Sequence, residues 1–253
     1  MTHPFKTYKG IFYSALVIIS FVILHSCGSM PINREVQRTT TQSVQMGSVA
    51  SSKDFMLQQA YNTAAIPEYE KNIKVAVSII PFSKTTHKSF LNARSRQSSN
   101  VTIHYVDSLD SKPTYVHLKL SDQISIIEAL NDQINKGVKD YLSLNPDAEV
   151  ITGVSMAFNE PEIKRLTTAE SVFLVETEPK VYALQLINEN AAPQYIKFNQ
   201  GVVFAYNSSN CCWQENKKHR INIIDLVGQY DNCPNRTYRS AHRAKKRINY
   251  YKL

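Results

Sequence analysis

Thiols are the side chains of this chain with the most chemistry to offer. Cys27 stands alone near the N-terminus, while Cys211, Cys212 and Cys233 gather near the other end around His219. Zinc sites usually space their cysteines by two to four residues, which the adjacent Cys211 and Cys212 do not. A Cys211/Cys212/His219/Cys233 zinc site is therefore the poorer reading, and no metal is assigned. Redox work is not indicated, because no Cys-x-x-Cys is present. A disulfide from Cys211 or Cys212 to Cys233 would close a loop of about twenty residues and contribute roughly 2–4 kcal/mol. It would leave one thiol over.

The imidazoles come next. His104 and His117 flank Asp107-Ser108-Leu109-Asp110-Ser111-Lys112-Pro113, a run of turn formers. On the two arms of a hairpin they would be near cross-strand neighbours. With Asp107 and Cys212 they are the dispersed residues from which an envelope hydrolase could assemble a site, since triad members need not be close in sequence. No Gly-x-Ser-x-Gly, His-Glu-x-x-His or haem-binding Cys-x-x-Cys-His occurs. Only seven glycines are present, too few to favour a glycine-rich phosphate cradle. No cofactor is implied, and binding or scaffolding is the preferred class of function.

Charge is unevenly placed. The chain carries 29 Lys and Arg against 21 Asp and Glu, a formal +8. From Lys217 to Leu253 ten basic residues face only Asp225 and Asp231, so the excess belongs to the C-terminus. Its last stretch holds Arg236, Arg239, Arg243, Lys245, Lys246, Arg247 and Lys252 with Tyr238, Tyr250 and Tyr251 between them. Such a tail suits an anionic surface, nucleic acid in the cytosol or lipid headgroups and acidic partners beyond it.

The N-terminus chooses between those compartments. Lys6 and Lys9 precede a fourteen-residue apolar run, Ile11 to Leu24, shorter than the roughly 20 residues of a membrane-spanning helix and positioned like an export signal. Leu24-His25-Ser26-Cys27 then resembles the lipobox of bacterial lipoproteins: Leu24, Ser26 and Cys27 match, and His25 stands where a small residue is usual. The resemblance implies a signal peptide over residues 1–26, lipid on Cys27 and a membrane partner held through that lipid. Several acyl chains at about 0.8 kcal/mol per buried CH₂ make such an anchor stable. Gly28 and Ser29 follow in place of the Asp that retains related lipoproteins in the inner membrane. The resemblance thus implies the outer membrane, on its periplasmic side, with no nucleic acid within reach. Asp107-Ser108-Leu109 also resembles an O-glycosylation motif of exported proteins, which would place a glycan on Ser108.

Behind Cys27, residues 27–53 read as a flexible polar tether, 54–235 as an α+β domain and 236–253 as the basic tail. Phe55, Met56, Ala60, Tyr61 and Ala64 suggest a short helix ending at Pro67. Ile73 to Ile79 alternates as a strand, Phe82 to Asn100 reads as a Ser/Thr-rich loop, and Val101–Val106 with Thr114–Leu120 as a hairpin. Apolar positions from Ile124 to Leu142 recur at helical spacing. Strand 150–158, helix 160–169 and strand 171–177 follow, and further strands are expected over 181–187, 195–198, 202–206 and 221–227.

Gly153-Val154-Ser155-Met156-Ala157, Glu162, Leu166, Val172 and Val175-Glu176 are similar in spacing to half of the subtilisin-type propeptide inhibitors. That resemblance implies a ferredoxin-like β-α-β-α-β core, here extended by additional antiparallel strands, and a protease-inhibitor-like module as an alternative role.

Overall fold

Extended segments with one apolar face need a partner surface, and this chain supplies it by building one large sheet. The computed structural model describes residues 29–32, 35–51, 62–108, 111–189 and 191–246. The expected signal segment, Cys27, Leu109, Arg247 and most of the helix expected after Ser52 lie outside them. In chain order the strands are β1 (Ser29–Ile32), β2 (Glu35–Thr39), β3 (Val49–Ser51), β4 (Asn62–Ala65) and β5 (Ile73–Pro81). Helix α1 (Lys84–Arg94), β6 (Thr114–Leu120), α2 (Gln123–Asn131), α3 (Lys136–Leu144), β7 (Ala148–Ala157) and α4 (Glu160–Thr168) follow. The chain continues through β8 (Ser171–Glu178), β9 (Val181–Ile187), β10 (Gln194–Lys197), a 3-10 turn (Phe198–Gln200), β11 (Val202–Glu215), β12 (Ile221–Gly228) and α5 (Ala241–Lys246).

The sheet runs β1-β2-β11-β7-β6-β5-β8-β9-β10, with β12 also on β11 and the β3-β4 pair on β7. Strand β7 is buried at nearly every position, as a strand covered on both faces must be. Cross-strand partners share a face. On one side Tyr115, Phe204 and Phe82 pack against α1 through its Phe90. On the other, Leu118, Val154 and Met156 join Ile126 and Leu130 of α2 and the single tryptophan, Trp213, in the larger core. Among the described residues no helix is long and apolar enough to cross a membrane.

The expected α+β class with a large antiparallel sheet is what the chain adopts. The ferredoxin-like core is not confirmed. Every pairing among the described strands is antiparallel, and the helix-linked strands β5 and β6 are direct antiparallel neighbours, where a β-α-β crossover would join parallel strands.

Other expectations are corrected. The stretch read as a tether contributes three strands, and Val44, Met46 and Val49 are fully buried. Its few apolar residues carry no period, so only the sheet they dock on reveals them. Gly47 makes the turn at φ +82°, and its carbonyl accepts from the Tyr69 hydroxyl at 2.7 Å. The presumed loop after Phe82 holds α1, started by a reciprocal cap between Ser83 and Thr86 and buried through Thr86, Phe90 and Ala93. Residues 101–106 are not a strand, because β5 occupies the edge of β6 that a hairpin partner would have taken. Residues 62–65, within the expected helix, form β4. The long helix breaks into α2 and α3 around Asn135, whose buried amide accepts from Glu68 N at 2.8 Å and donates to its carbonyl at 2.7 Å.

Two other amides work the same way on β-strands. Asn131 donates to the Ile223 carbonyl and accepts from its N–H at 2.7 and 3.0 Å. Gln97 does so with Val203 at 2.6 and 3.1 Å. Each side chain stands in for a neighbouring strand at an edge that would otherwise offer unpaired backbone groups.

A Cβ at Gly47 would lie 3.1 Å from both Leu174 Cδ2 and Tyr69 Cε2, on a backbone already left-handed. Gly47→Ala should therefore lower unfolding free energy by about 1–3 kcal/mol, measured by urea titration. An unchanged midpoint would show that this turn does not seat the N-terminal strands.

Candidate functional site

Strand β11 is fourteen residues long and serves two edges. One edge carries β7, and the other carries β2 at Ala205 and Tyr206 and then β12 from Ser209 onward. Between β2 and β12 a cleft of about 370 Å³ opens, floored by Tyr206, Ser208, Thr152 and Leu120 and walled by Gln123, Ile126, Leu226 and the 228–231 turn.

Arg38 stands in this cleft with its guanidinium forked onto Glu149, at 2.6 Å from Nη1 to Oε2 and 3.1 Å from Nη2 to Oε1. Ser208 donates to the same carboxylate at 2.8 Å, and Gln229 accepts from Arg38 Nε at 3.3 Å. Burial works against the guanidinium charge, but Glu149 outweighs it and holds the Arg38 pKa above its ordinary value. The pair joins β2 to β7 across the β11 bulge at Asn207/Ser208. Asn207, also lining the cleft, donates to the Val36 carbonyl at 3.2 Å, while its Oδ1 is buried and accepts from no described group.

The far wall is held by two devices. Arg239 donates to the carbonyls of Gly228, Gln229 and Asp231, and a disulfide joins Cys212 to Cys233. Cys211 is the remaining thiol and is buried on the same strand. With Cys212 and Cys233 paired, and His219 placed 3.1 Å from Glu215, the four-ligand zinc arrangement is not formed. Among the described residues no group of His, Cys, Asp and Glu is placed to hold a metal ion.

Below the α1-covered face, Gln37, His117 and Ser155 form a buried triangle. Ser155 Oγ donates to Gln37 Oε1 at 2.7 Å, Gln37 Nε2 lies 3.1 Å from His117 Nδ1, and Ser155 Oγ lies 3.2 Å from the same nitrogen. The Ser155 proton is thus directed at Gln37 Oε1 and not at the imidazole. The triangle positions β2 over β6 and β7. His104 lies exposed in the 101–106 segment, so the two histidines do not converge. Asp107 is bound to the Tyr105 hydroxyl at 2.6 Å and faces Lys112 at 3.6 Å, and Ser108 is exposed beside it.

The chain matches no family model, no curated protein and no solved structure. Geometry alone therefore carries the site. Of the basic residues expected at the C-terminus, Arg236, Arg243 and Lys245 are exposed and Arg239 is spent on the cleft wall. Lys246 ends α5, Ala241 and Ala244 of that helix are buried, and Arg247 lies outside the described residues. Sequence reasoning missed Arg38, Glu149, Gln37 and Ser155. The one available signal was Gly153 inside a strand, a mark of close approach: a Cβ there would lie 3.0 Å from the Leu118 carbonyl and 3.4 Å from His117 Cε1.

Removing the disulfide as Cys212→Ala/Cys233→Ala should cost about 2–4 kcal/mol and speed proteolysis within 228–236. A variant as resistant as the parent would show that Arg239 suffices. Burial also pushes the Cys211 thiol from 9.0 up to about 12, and the Tyr115 hydroxyl from 10.0 up to about 12. Between pH 9 and 12 the unfolded chain releases the Cys211 proton while the folded chain keeps it, so stability falls as pH rises. The slope for one such group reaches about 1.4 kcal/mol per pH unit. Urea titrations at pH 8, 9 and 10 should show this decline, and Cys211→Ala should flatten it. Equal slopes would exclude the thiol as its source.

Proposed function

We propose that this chain is a lipid-anchored cell-envelope protein that binds or scaffolds a partner and does not transform one. In this reading residues 1–26 are an export signal, Cys27 carries the lipid, and the protein sits at the outer membrane on its periplasmic side. The supporting observation is the Cys212–Cys233 disulfide, a pairing that persists in oxidising compartments beyond the cytosol. The cleft beside it mixes apolar walls at Val36, Leu226 and Tyr230 with hydrogen-bonding groups at Gln123, Asn207 and Asp231, the composition of a recognition site. Its strongest ionic group, Arg38, is already satisfied by Glu149, which suits holding a ligand better than driving a reaction.

The inhibitor-like reading attaches to β7, α4 and β8, and the ferredoxin-like core expected there belongs with it. Strands β6 and β5 stand between β7 and β8 in the sheet.

Cells expressing the full chain and fed radiolabelled palmitate should label the wild-type protein and not Cys27→Ala. The labelled form should fractionate with outer membranes. Equal labelling of the two would overturn the anchor, and with it the location.

A further inference from the structure

The turn after β12 is held more firmly than an exposed turn requires. Arg239 gathers the carbonyls of Gly228, Gln229 and Asp231, and the Cys212–Cys233 bond ties the chain just beyond them. Within that clamp stands Tyr230, 71% exposed, on the rim of the cleft of about 370 Å³ between β2 and β12. A ring left in water adds little to the core. Fixing it in advance lowers the ordering cost of whatever packs on it. Tyr206 offers a second ring from the floor of the same cleft.

The hydrogen-bonding groups between these rings are mostly neutral, and several keep capacity. Gln229 gives its oxygen to Arg38, which leaves its amide N–H groups unbound. Gln123 donates to Asp225 and to the Leu226 carbonyl, which leaves its oxygen unbound. The Thr152 and Ser209 hydroxyls lie 3.1 Å apart, and whichever donates, the other keeps a proton to give elsewhere. Asp231 adds a carboxylate, folded back against the turn because Gly228 has no side chain: a Cβ there would lie 2.6 Å from Asp231 Oδ2.

This lining disfavours the other classes of small ligand. Its charges cancel, since Arg38 is forked onto Glu149 and Lys119 is matched in number by Asp231. An ion would leave water for a site with no net attraction to offer. An apolar ligand would strand amides and hydroxyls without partners, at about 1–3 kcal/mol for each. A sugar ring meets both demands, with carbon–hydrogen faces for the aromatic rings and a rim of hydroxyls that each donate and accept.

We infer that the β2–β12 cleft binds a neutral saccharide of one or two rings, packed on Tyr230 and Tyr206 and bonded by Gln229, Gln123 and Asp231. Small-ligand sites span about 300–1,000 Å³, and this cleft lies at the lower end, as a ligand of that size requires. The inference rests on the reading that the chain binds a partner without transforming it, and not on the lipid anchor.

The test uses the full chain in a zwitterionic detergent that carries no sugar, with saturation-transfer NMR and calorimetry as readouts. The probes are glucose, galactose, mannose, N-acetylglucosamine, cellobiose, maltose and chitobiose. At least one should bind with a Kd of about 1 mM or tighter. Glucuronate, glucosamine and cyclohexanol, which are an anion, a cation and an apolar ring of similar size, should bind about tenfold more weakly or not at all. Tyr230→Ala should weaken the preferred sugar about tenfold while leaving the urea midpoint unchanged, because the ring is outside the core. Tyr195→Ala removes an exposed ring from β10 and should bind as the parent does. No binding of any neutral sugar, tighter binding of the charged or apolar probes, or parental affinity in Tyr230→Ala would each overturn the inference. Conversion of a bound disaccharide would instead overturn the non-transforming reading and leave the ligand class standing, as would equal palmitate labelling for the anchor.

Discussion

The pairing of β7 with β11 is the constraint on which the remaining structure depends. Strand β7 receives β6 and β3 along its other edge, and β11 receives β2 and β12 along its own. The register of these two strands therefore aligns segments far apart in sequence. Two irregularities in it, at Val203/Ala205 and at Asn207/Ser208, matter as much as the regular part. A bulge increases local twist and re-aims side chains, and the second lies where Arg38 passes β11 to reach Glu149.

That pair illustrates what buried charge contributes. Moving an ion pair out of water costs several kcal/mol per ion, offset only when geometry is good and the remaining lone pairs are satisfied. Here the fork is bidentate and Ser208 adds a donor to the same carboxylate. An apolar pair could be as stable, but it would not specify which residue of β2 faces Glu149. The Gln37–His117–Ser155 triangle adds a second, independent register pin. It fits because Ser155 and Ala205 are small, and Gly153 leaves room beside the His117 ring.

The cleft follows from the same arrangement. Strand β2 covers only two residues of β11 before β12 takes over, and the gap is bordered by the turn that follows β12, 229–231. Loops of that kind need external ties to hold a defined wall, supplied here by Arg239 and the Cys212–Cys233 bond. Disulfide and cleft are thus consecutive along one strand and its return.

Much of this was written locally. The alternation at Ile73–Val75, the helical spacing in Ile124–Leu142, though parted near Asn135 into α2 and α3, and the strand-helix-strand order from Val150 to Thr177 survive folding, because each depends on a period within the segment. The disulfide was legible as a choice between Cys211 and Cys212. Only packing decided it, by burying Cys211 in the core and facing Cys212 toward the returning segment that carries Cys233. The N-terminal strands were illegible because Val44, Met46 and Val49 form no pattern until β7 and Tyr69 give them somewhere to sit. The same holds for Arg38, whose partner Glu149 lies 111 residues away. Local sequence thus determined the elements that carry a period of their own and where charge accumulates. Tertiary structure alone decided which polar groups meet, since that depends on strand register, which no single segment encodes.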